Sequence, residues 1–291
     1  MRERAWLAPE AGKTLGDLAQ RSLAEWMALA TSGSTLSTDR DSAAARVEGP
    51  AGPLLVKWRR PAGKKAWRSV LRPSRERTEA RGLLLARACG IDVPAPLLIL
   101  ERRGAFGQLL GSVLVRPFAL GLVPADVLLA APDGRRRLAP LVRAVRGWHD
   151  AGYRHGDCWP KNLLLSEDGR RCLPIGAPKA RRVGAGVTLD RLRLKDLARL
   201  AAGARLLWPT EDPCAFLDAY LGTQGVAAPG LPQRPQVERA VAPLLARVLA
   251  KRAEDERTRP AREPHGPPLP VPLSPDTRPI PRLSSPLSKI D

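Results

Sequence analysis

Residues 148–162 read WHDAGYRHGDCWPKN, and this stretch is the most informative in the chain. His155 and Asp157 are separated by one residue, Asn162 follows the aspartate by five positions, and Pro160 lies between them. Before this stretch, apolar residues recur every three or four positions, which predicts an amphipathic helix, and after it three consecutive leucines predict a buried strand. The polar residues therefore belong to a short loop between two buried elements.

This spacing matches the catalytic loop of kinases. In that chemistry the aspartate accepts or orients the proton of the substrate hydroxyl, and the asparagine holds a metal ion that bridges the ATP phosphates. The pattern predicts Asp157 as the catalytic base, Asn162 as a metal ligand and His155 as a structural residue of the loop. The alternative is that a His-x-Asp triplet and an asparagine coincide in an ordinary turn. The flanking helix and strand, and the proline within the loop, favour the catalytic interpretation.

A kinase also needs a lysine on a strand and a glutamate on the following helix, because their ion pair positions the α- and β-phosphates. Lys57 ends an apolar run that forms the second strand of a predicted hairpin. A helix predicted to begin after Ser74, a good N-cap residue, carries Glu79 on or beside its inward face. We predict that Lys57 and Glu79 bind ATP as a salt-bridged pair. The alternatives are a solvated lysine near a strand end and a surface glutamate in an arginine-rich helix.

Several further stretches extend the pattern, and together they resemble the bacterial lipopolysaccharide kinase family, whose members phosphorylate Kdo or heptose sugars of the lipid core. The resemblance covers roughly residues 34–222 and is carried by Val56–Arg60, Trp67–Arg68, Arg72–Arg75, Gly90–Pro94, His149–Asn162 and Leu194–Leu200. It implies an α+β, bilobal protein-kinase-like fold with a small β-rich N-lobe and a larger helical C-lobe. It also implies ATP and Mg²⁺ as cofactors and a sugar or glycolipid as acceptor. Asp196, in the last of these stretches, is expected to brace the catalytic loop.

The order of the predicted elements divides the chain into four parts. These are an N-terminal helical segment (1–33), an N-lobe (34–119), a C-lobe (120–258) and a proline-rich tail (259–291) whose composition predicts disorder. The N-lobe is expected to hold about five strands and one helix. Pro140 is expected in the first turn of the helix that precedes the loop, where a missing N–H costs least.

One position departs from the kinase pattern. The strand Cys172–Ile175 should lead into an aspartate that binds the metal between the β- and γ-phosphates. Gly176 stands there instead, and no acidic residue occurs from Arg170 to Leu189. This loss predicts weak or single-site metal binding. Two hypotheses stay open: an ATP-dependent sugar phosphotransferase with impaired catalysis, and an inactive pseudokinase that serves as a binding or regulatory module.

The formal net charge of +19 predicts attraction to phosphates, nucleic acid or an anionic membrane face, although an arginine-rich composition also fits a GC-rich genome. The basic run from Lys57 to Arg81 fits a dock for anionic lipid headgroups. Specific nucleic-acid binding is the weaker alternative, because the sequence has no recognisable nucleic-acid module. Four scattered cysteines, no signal-peptide pattern and no apolar run near the roughly 18 residues of a membrane span predict a cytoplasmic protein, peripheral at the inner face of the cytoplasmic membrane.

Overall fold

The computed structural model describes residues 2–39, 41–70, 72–183, 187–208, 220 and 234–258. Its contacts divide the chain into two compact units. Among the described residues, the first unit contains residues 2–119 and 173–181, and the second contains residues 120–172 and those from 182 onward. The first unit is rich in strands and the second is mainly helical, so the fold class is α+β, as the sequence predicted.

The first unit is built on a six-stranded antiparallel sheet with the order β1-β5-β6-β4-β3-β2. Its elements are β1 (Arg2–Leu7), α1 (Ala11–Leu15), α2 (Leu23–Ser32), β2 (Ser34–Asp39), β3 (Ser42–Gly49), β4 (Gly52–Arg59), α3 (Lys64–Trp67), α4 (Arg75–Ala88), β5 (Leu98–Arg103) and β6 (Leu109–Pro117). The predicted hairpin of β3 and β4, the helix α4 and the strand pair β5 and β6 are all present.

The sequence predicted that residues 1–33 form a helical segment outside the N-lobe. In the structure this segment is part of the first unit and begins with a strand. Its first residues form β1, which pairs with β5 and sets Glu3 opposite Arg102 and Arg4 opposite Glu101. Opposite charges facing each other across a strand pair stabilise such an edge. Helices α1 and α2 then place Leu15, Leu23 and Trp26 in the main core cluster, against the sheet residues Val56, Leu98, Val113 and Val115. These apolar side chains would be exposed if the segment were separate.

The other face of the sheet packs on α4. There Leu114 and Ile99 form a smaller buried cluster with Ala80 of the helix. Lys57 lies directly opposite Leu114 across the β4–β6 pair, and side chains opposite each other in a sheet point to the same face. The sheet register therefore directs Lys57 toward the helix that carries Glu79.

The second unit contains β7 (Leu122–Pro124), α5 (Ala125–Ala130), α6 (Arg135–Asp150), β8 (Tyr153–Arg154), β9 (Leu163–Ser166), α7 (Val187–Leu207) and α8 (Arg234–Thr258). Two short strands, β10 (Cys172–Pro174) and β11 (Arg181–Arg182), lie where the chain passes between the units. Strand β9 pairs with β7 in antiparallel fashion. The sequence predicted an apolar stripe on α6 of Leu138, Leu141, Val142, Val145 and Trp148; the last four are buried and Leu138 is half-buried. No helix within the described residues is long and apolar enough to cross a bilayer.

The sequence predicted Pro140 in the first turn of its helix. The prediction was wrong, because α6 already begins at Arg135 and Pro140 lies inside the helix. The helix loses one backbone hydrogen bond at this point. Burial of the stripe that follows the proline stabilises α6 in spite of that loss. The tail (259–291) and most of the helix predicted over residues 213–221 lie outside the described residues.

Candidate functional site

Lys57 and Glu79 form an ion pair in the first unit, which confirms the predicted geometry. The ammonium Nζ of Lys57 donates to Oε2 of Glu79 at 2.5 Å. Helix α4 begins where predicted, because the Ser74 hydroxyl accepts from the N–H of Arg77 at 3.0 Å and so caps the first turn. Five residues after this cap, Glu79 lies on the buried face of the helix with Leu83.

A second cation, which the sequence reasoning missed, is close to the same carboxylate. Arg116 on β6 is only 4 % exposed, and its Nε has no hydrogen-bond partner in the described part of the chain. Burial lowers the pKa of Arg116 to about 10, against the attraction of Glu79. Burial by itself would raise the pKa of Glu79, but Lys57 and then Arg116 outweigh it, so this pKa lies below its ordinary value. Glu79 is therefore ionised at neutral pH between two cations.

Asp157 and Asn162 are joined in the second unit, in the loop between β8 and β9. The side-chain amide Nδ2 of Asn162 donates to the backbone oxygen of Asp157 at 2.8 Å and to its carboxylate Oδ2 at 3.1 Å. The amide oxygen of Asn162 makes no hydrogen bond within the described residues and is available as a ligand. Neutral and anionic oxygens are the ligands that Mg²⁺ prefers. Asn162 thus offers one oxygen ligand that suits a metal ion.

Asp196 of α7 holds the backbone of this loop from a fully buried position, as its place in the sequence predicted. Its carboxylate accepts from the N–H of His155 at 2.9 Å and from the N–H of Gly156 at 2.9 Å. Burial would raise the pKa of Asp196, but the neighbouring His149, His155 and Arg154 lower it overall. His155 in turn accepts the N–H of Asp157 at its Nδ1, at 3.2 Å. Its contacts are those of a structural residue.

Arg199, one turn after Asp196 on α7, is the other residue that the sequence reasoning missed. Its Nε lies 3.8 Å from Oδ1 of Asp157, and both side chains are largely buried. Nothing in the local pattern distinguishes it from the other arginines of the helix. Cys158, next to Asp157, is fully buried, and this burial raises the pKa of its thiol well above the ordinary value. A nucleophilic role for Cys158 is therefore not supported.

Gly176 occupies the position where the sequence predicted a missing metal-binding aspartate. Its φ is 59°, in the left-handed region that glycine adopts freely. Aspartate is among the few other residues enriched in this conformation, whereas most side chains are strained there. Glycine at position 176 has no side-chain atom that could bind a metal ion.

Comparison with known proteins places these residues in a family. The sequence pattern of the lipopolysaccharide kinase (Kdo/WaaP) family matches residues 62–220, more than half of the chain. Among curated proteins, none matches the sequence. Solved structures with a similar fold include WaaP in complex with acyl carrier protein, at 21 % identity and a TM-score of 0.49, covering 86 % of this chain and 98 % of that one.

Two further solved structures are kinase domains at lower identity. The Toxoplasma gondii specific rhoptry antigen kinase domain is 14 % identical with a TM-score of 0.42, covering 75 % of this chain and 83 % of that one. The ROP18 kinase domain in complex with AMP-PNP and sucrose is also 14 % identical with a TM-score of 0.42, covering 77 % and 82 %. Similarity at this level, with TM-scores below 0.5, extends no property of these proteins to this chain. The family match over residues 62–220 includes Glu79, Asp157, Asn162 and Asp196. Because this match covers more than half of its sequence, the chain belongs to the lipopolysaccharide kinase family.

Proposed function

We propose that this protein is an ATP-dependent phosphotransferase that acts on a sugar hydroxyl of a lipopolysaccharide-like glycolipid. The observation that carries the proposal is the catalytic loop, in which Asn162 is hydrogen-bonded to the carboxylate of Asp157 while Asp196 holds the loop backbone. Family membership supports a sugar of the lipid core as the acceptor. We further propose that the protein works in the cytoplasm, at the inner face of the cytoplasmic membrane, where it would meet such an acceptor.

In this mechanism Asp157 accepts the proton of the acceptor hydroxyl while the hydroxyl oxygen bonds to the γ-phosphorus of ATP. The bond between that phosphorus and the β,γ-bridging oxygen breaks, and ADP leaves. Lys57 binds the α- and β-phosphates and is oriented by Glu79. The hydrogen bond from Asn162 to Oδ2 fixes the rotamer of Asp157. The guanidinium of Arg199 attracts the other carboxylate oxygen, Oδ1. Both contacts orient the base toward the acceptor.

A divalent metal, when bound, neutralises charge on the ATP phosphates. The residues fit this group only in part. Asn162 offers an amide oxygen, whereas Gly176 offers no side-chain ligand. We therefore propose that metal binding is weak and limited to one position, and that turnover is slow.

Phosphotransfer from labelled ATP tests the proposal, with lipid A-core glycolipid as acceptor and Mg²⁺ or Mn²⁺ present. General-base catalysis contributes about 10²- to 10⁴-fold, so Asp157→Asn should lower turnover by at least about 10²-fold. Its nucleotide affinity should stay nearly unchanged, because Asp157 acts on the acceptor hydroxyl. Asp168→Asn, at an exposed aspartate of the β9–β10 turn, is the control and should behave as the wild type.

A second candidate function is favoured by Gly176: a pseudokinase that binds nucleotide or a partner without transferring phosphate. It predicts a folded protein that binds ATP and shows no metal-dependent turnover with any sugar or glycolipid acceptor. That outcome would replace the phosphotransferase proposal. Turnover that disappears in Asp157→Asn and survives in Asp168→Asn would exclude the pseudokinase.

A further inference from the structure

Two exposed aromatic side chains of the first unit pack on each other. Trp67 at the end of α3 is 57 % exposed and Phe106 in the β5–β6 turn is 71 % exposed. Their ring centroids are 5.9 Å apart, with the ring planes tilted by 32°. The other aromatic side chains in the described ranges are buried or half-buried. A paired apolar tip of this kind, unlike a single surface aromatic, is unusual unless it has a partner.

The two loops that carry this pair are fastened to each other. The guanidinium of Arg103 donates to the backbone oxygens of Ser69 at 3.0 Å, Gly107 at 2.8 Å and Arg72 at 2.8 Å. The N–H of Leu109 donates to the Ser69 hydroxyl at 2.8 Å. These bonds hold the α3 segment on the β5–β6 turn. The positions of the two rings are therefore already fixed before a partner binds, and little conformational entropy is lost on binding.

Positive charge surrounds the pair. No acidic residue occurs between Glu48 and Glu76, whereas exposed cations flank Trp67 on both sides, namely Arg60, Lys64, Lys65, Arg68 and Arg72. The acidic residues Asp41 and Glu101, which contact this part of the chain, are already paired: Asp41 with Lys65, and the buried Glu101 with Arg103. Lys64, Arg68 and Arg72 keep the surface basic.

We propose that this aromatic-basic surface, formed by Trp67, Phe106, Lys64, Arg68 and Arg72, docks the protein on an anionic lipid bilayer. Tryptophan and phenylalanine side chains favour the headgroup region of a membrane, and lysine and arginine favour lipid phosphates. The two tilted rings pack on each other and form an apolar tip. The choice of a bilayer as partner rests on the proposed function, since a lipid-linked acceptor lies in such a surface.

Vesicle sedimentation tests this docking surface without nucleotide, so its failure is separate from a failure of phosphotransfer. The full chain is mixed with vesicles of phosphatidylglycerol and phosphatidylcholine, or of phosphatidylcholine alone. Each cation near the surface contributes about fivefold to partition, so Lys64→Ser with Arg68→Ser should weaken binding about 25-fold. Trp67→Ser with Phe106→Ser should weaken it by more than about tenfold. Binding should also fall steeply as salt is raised.

Matched controls come from exposed residues elsewhere in the first unit. Lys13→Ser with Arg21→Ser removes two charges, and Leu36→Ser removes an exposed apolar side chain on β2. Both should bind as the wild type does. In a second measurement, vesicles with brominated acyl chains should quench the tryptophan fluorescence of the wild type more than that of Trp67→Phe.

Any one of the following results would overturn the assignment. These are no binding to anionic vesicles at physiological salt, unchanged binding of the double aromatic variant, an equal loss in the charge control, and equal quenching of Trp67→Phe. Displacement by a single-stranded oligonucleotide at the same phosphate concentration would also reject it, because the surface would then bind polyanions in general.

Discussion

At the scale of single residues, Glu79 places a carboxylate inside the first unit. It is 1 % exposed, and an ionised carboxylate buried without a partner would be strongly destabilising. Lys57 binds it directly, and Arg116 adds a second positive charge from β6. The attraction of Glu79 offsets part of the cost of burying Arg116 in this strand.

Glu79→Gln should lower the free energy of unfolding at pH 7 by about 3 kcal/mol, because it leaves Lys57 and Arg116 without their counter-charge. The folded-state pKa of Glu79 is depressed, so its stabilising contribution is present above its ordinary pKa of 4.5 and is lost as pH falls through the folded-state value. The difference between wild type and variant should therefore shrink in acid.

Urea denaturation at pH 7 and at pH 4 measures this difference. Glu48→Gln, at an exposed glutamate of β3, is the control and should have no measurable effect at either pH. Equal stabilities of the wild type and Glu79→Gln at pH 7 would mean that the ion pair does not form in solution.

Gly176→Asp should restore a metal ligand at a small cost in stability. A residue with a side chain pays up to about 1–2 kcal/mol at positive φ, and aspartate pays less than most. Gly176→Ala carries at least this much backbone strain without a ligand and is the control. Isothermal titration should show ATP binding that Mg²⁺ tightens on the order of tenfold, or about 1.4 kcal/mol, in the aspartate variant only. A folded Gly176→Asp without this gain would mean that position 176 is not the lost ligand.

At the scale of secondary-structure elements, α7 supports the catalytic loop along one side. Asp196, Arg199 and Gly203 follow each other at three- and four-residue spacing, which puts them on one face of the helix. Asp196 binds the loop backbone, Arg199 approaches Asp157, and Gly203 lies against Pro160. The helix thus determines both the backbone path of the loop and the surroundings of its aspartate.

Gly203→Ala should displace the loop, because the added Cβ would lie 2.3 Å from Cδ of Pro160. We expect a net destabilisation of about 1–3 kcal/mol from this overpacking, even though alanine is the better helix former. Gly147→Ala on α6 meets nothing within 4 Å and should instead stabilise by about 0.5–1 kcal/mol. Thermal unfolding of both variants makes the comparison. A stabilised Gly203→Ala would show that the contact of α7 with Pro160 is loose.

At the scale of the whole molecule, nucleotide binding should be visible as a gain in stability. A ligand that binds only the folded state, present at about 100 times its dissociation constant, stabilises that state by roughly 2.7 kcal/mol. We expect ATP to raise the midpoint of thermal unfolding, and Mg²⁺ to add little to this rise because Gly176 offers no ligand. A titration with and without Mg²⁺ or Mn²⁺ measures both effects. An unchanged midpoint at saturating ATP would contradict the phosphotransferase and a pseudokinase that binds nucleotide.

The predictable part of the molecule was the part encoded in short, contiguous patterns. The loop with Asp157 and Asn162, the cap of α4 at Ser74 and the hairpin of β3 and β4 all followed from spacing and turn chemistry, because these features depend on residues close in the chain. The left-handed conformation of Gly176 was not predictable, because glycine populates both signs of φ about equally.

The sequence by itself determined the family and the α+β class, and its kinase pattern predicted the pairing of Lys57 with Glu79, although the sheet register is what directs Lys57 toward the helix. The tertiary structure alone decided that β1 joins the sheet, that Arg116 lies beside Glu79, that Arg199 approaches Asp157 and that Trp67 packs on Phe106. These contacts join residues from separate elements, and their partners depend on sheet register and helix packing, which no local pattern in a single sequence specifies.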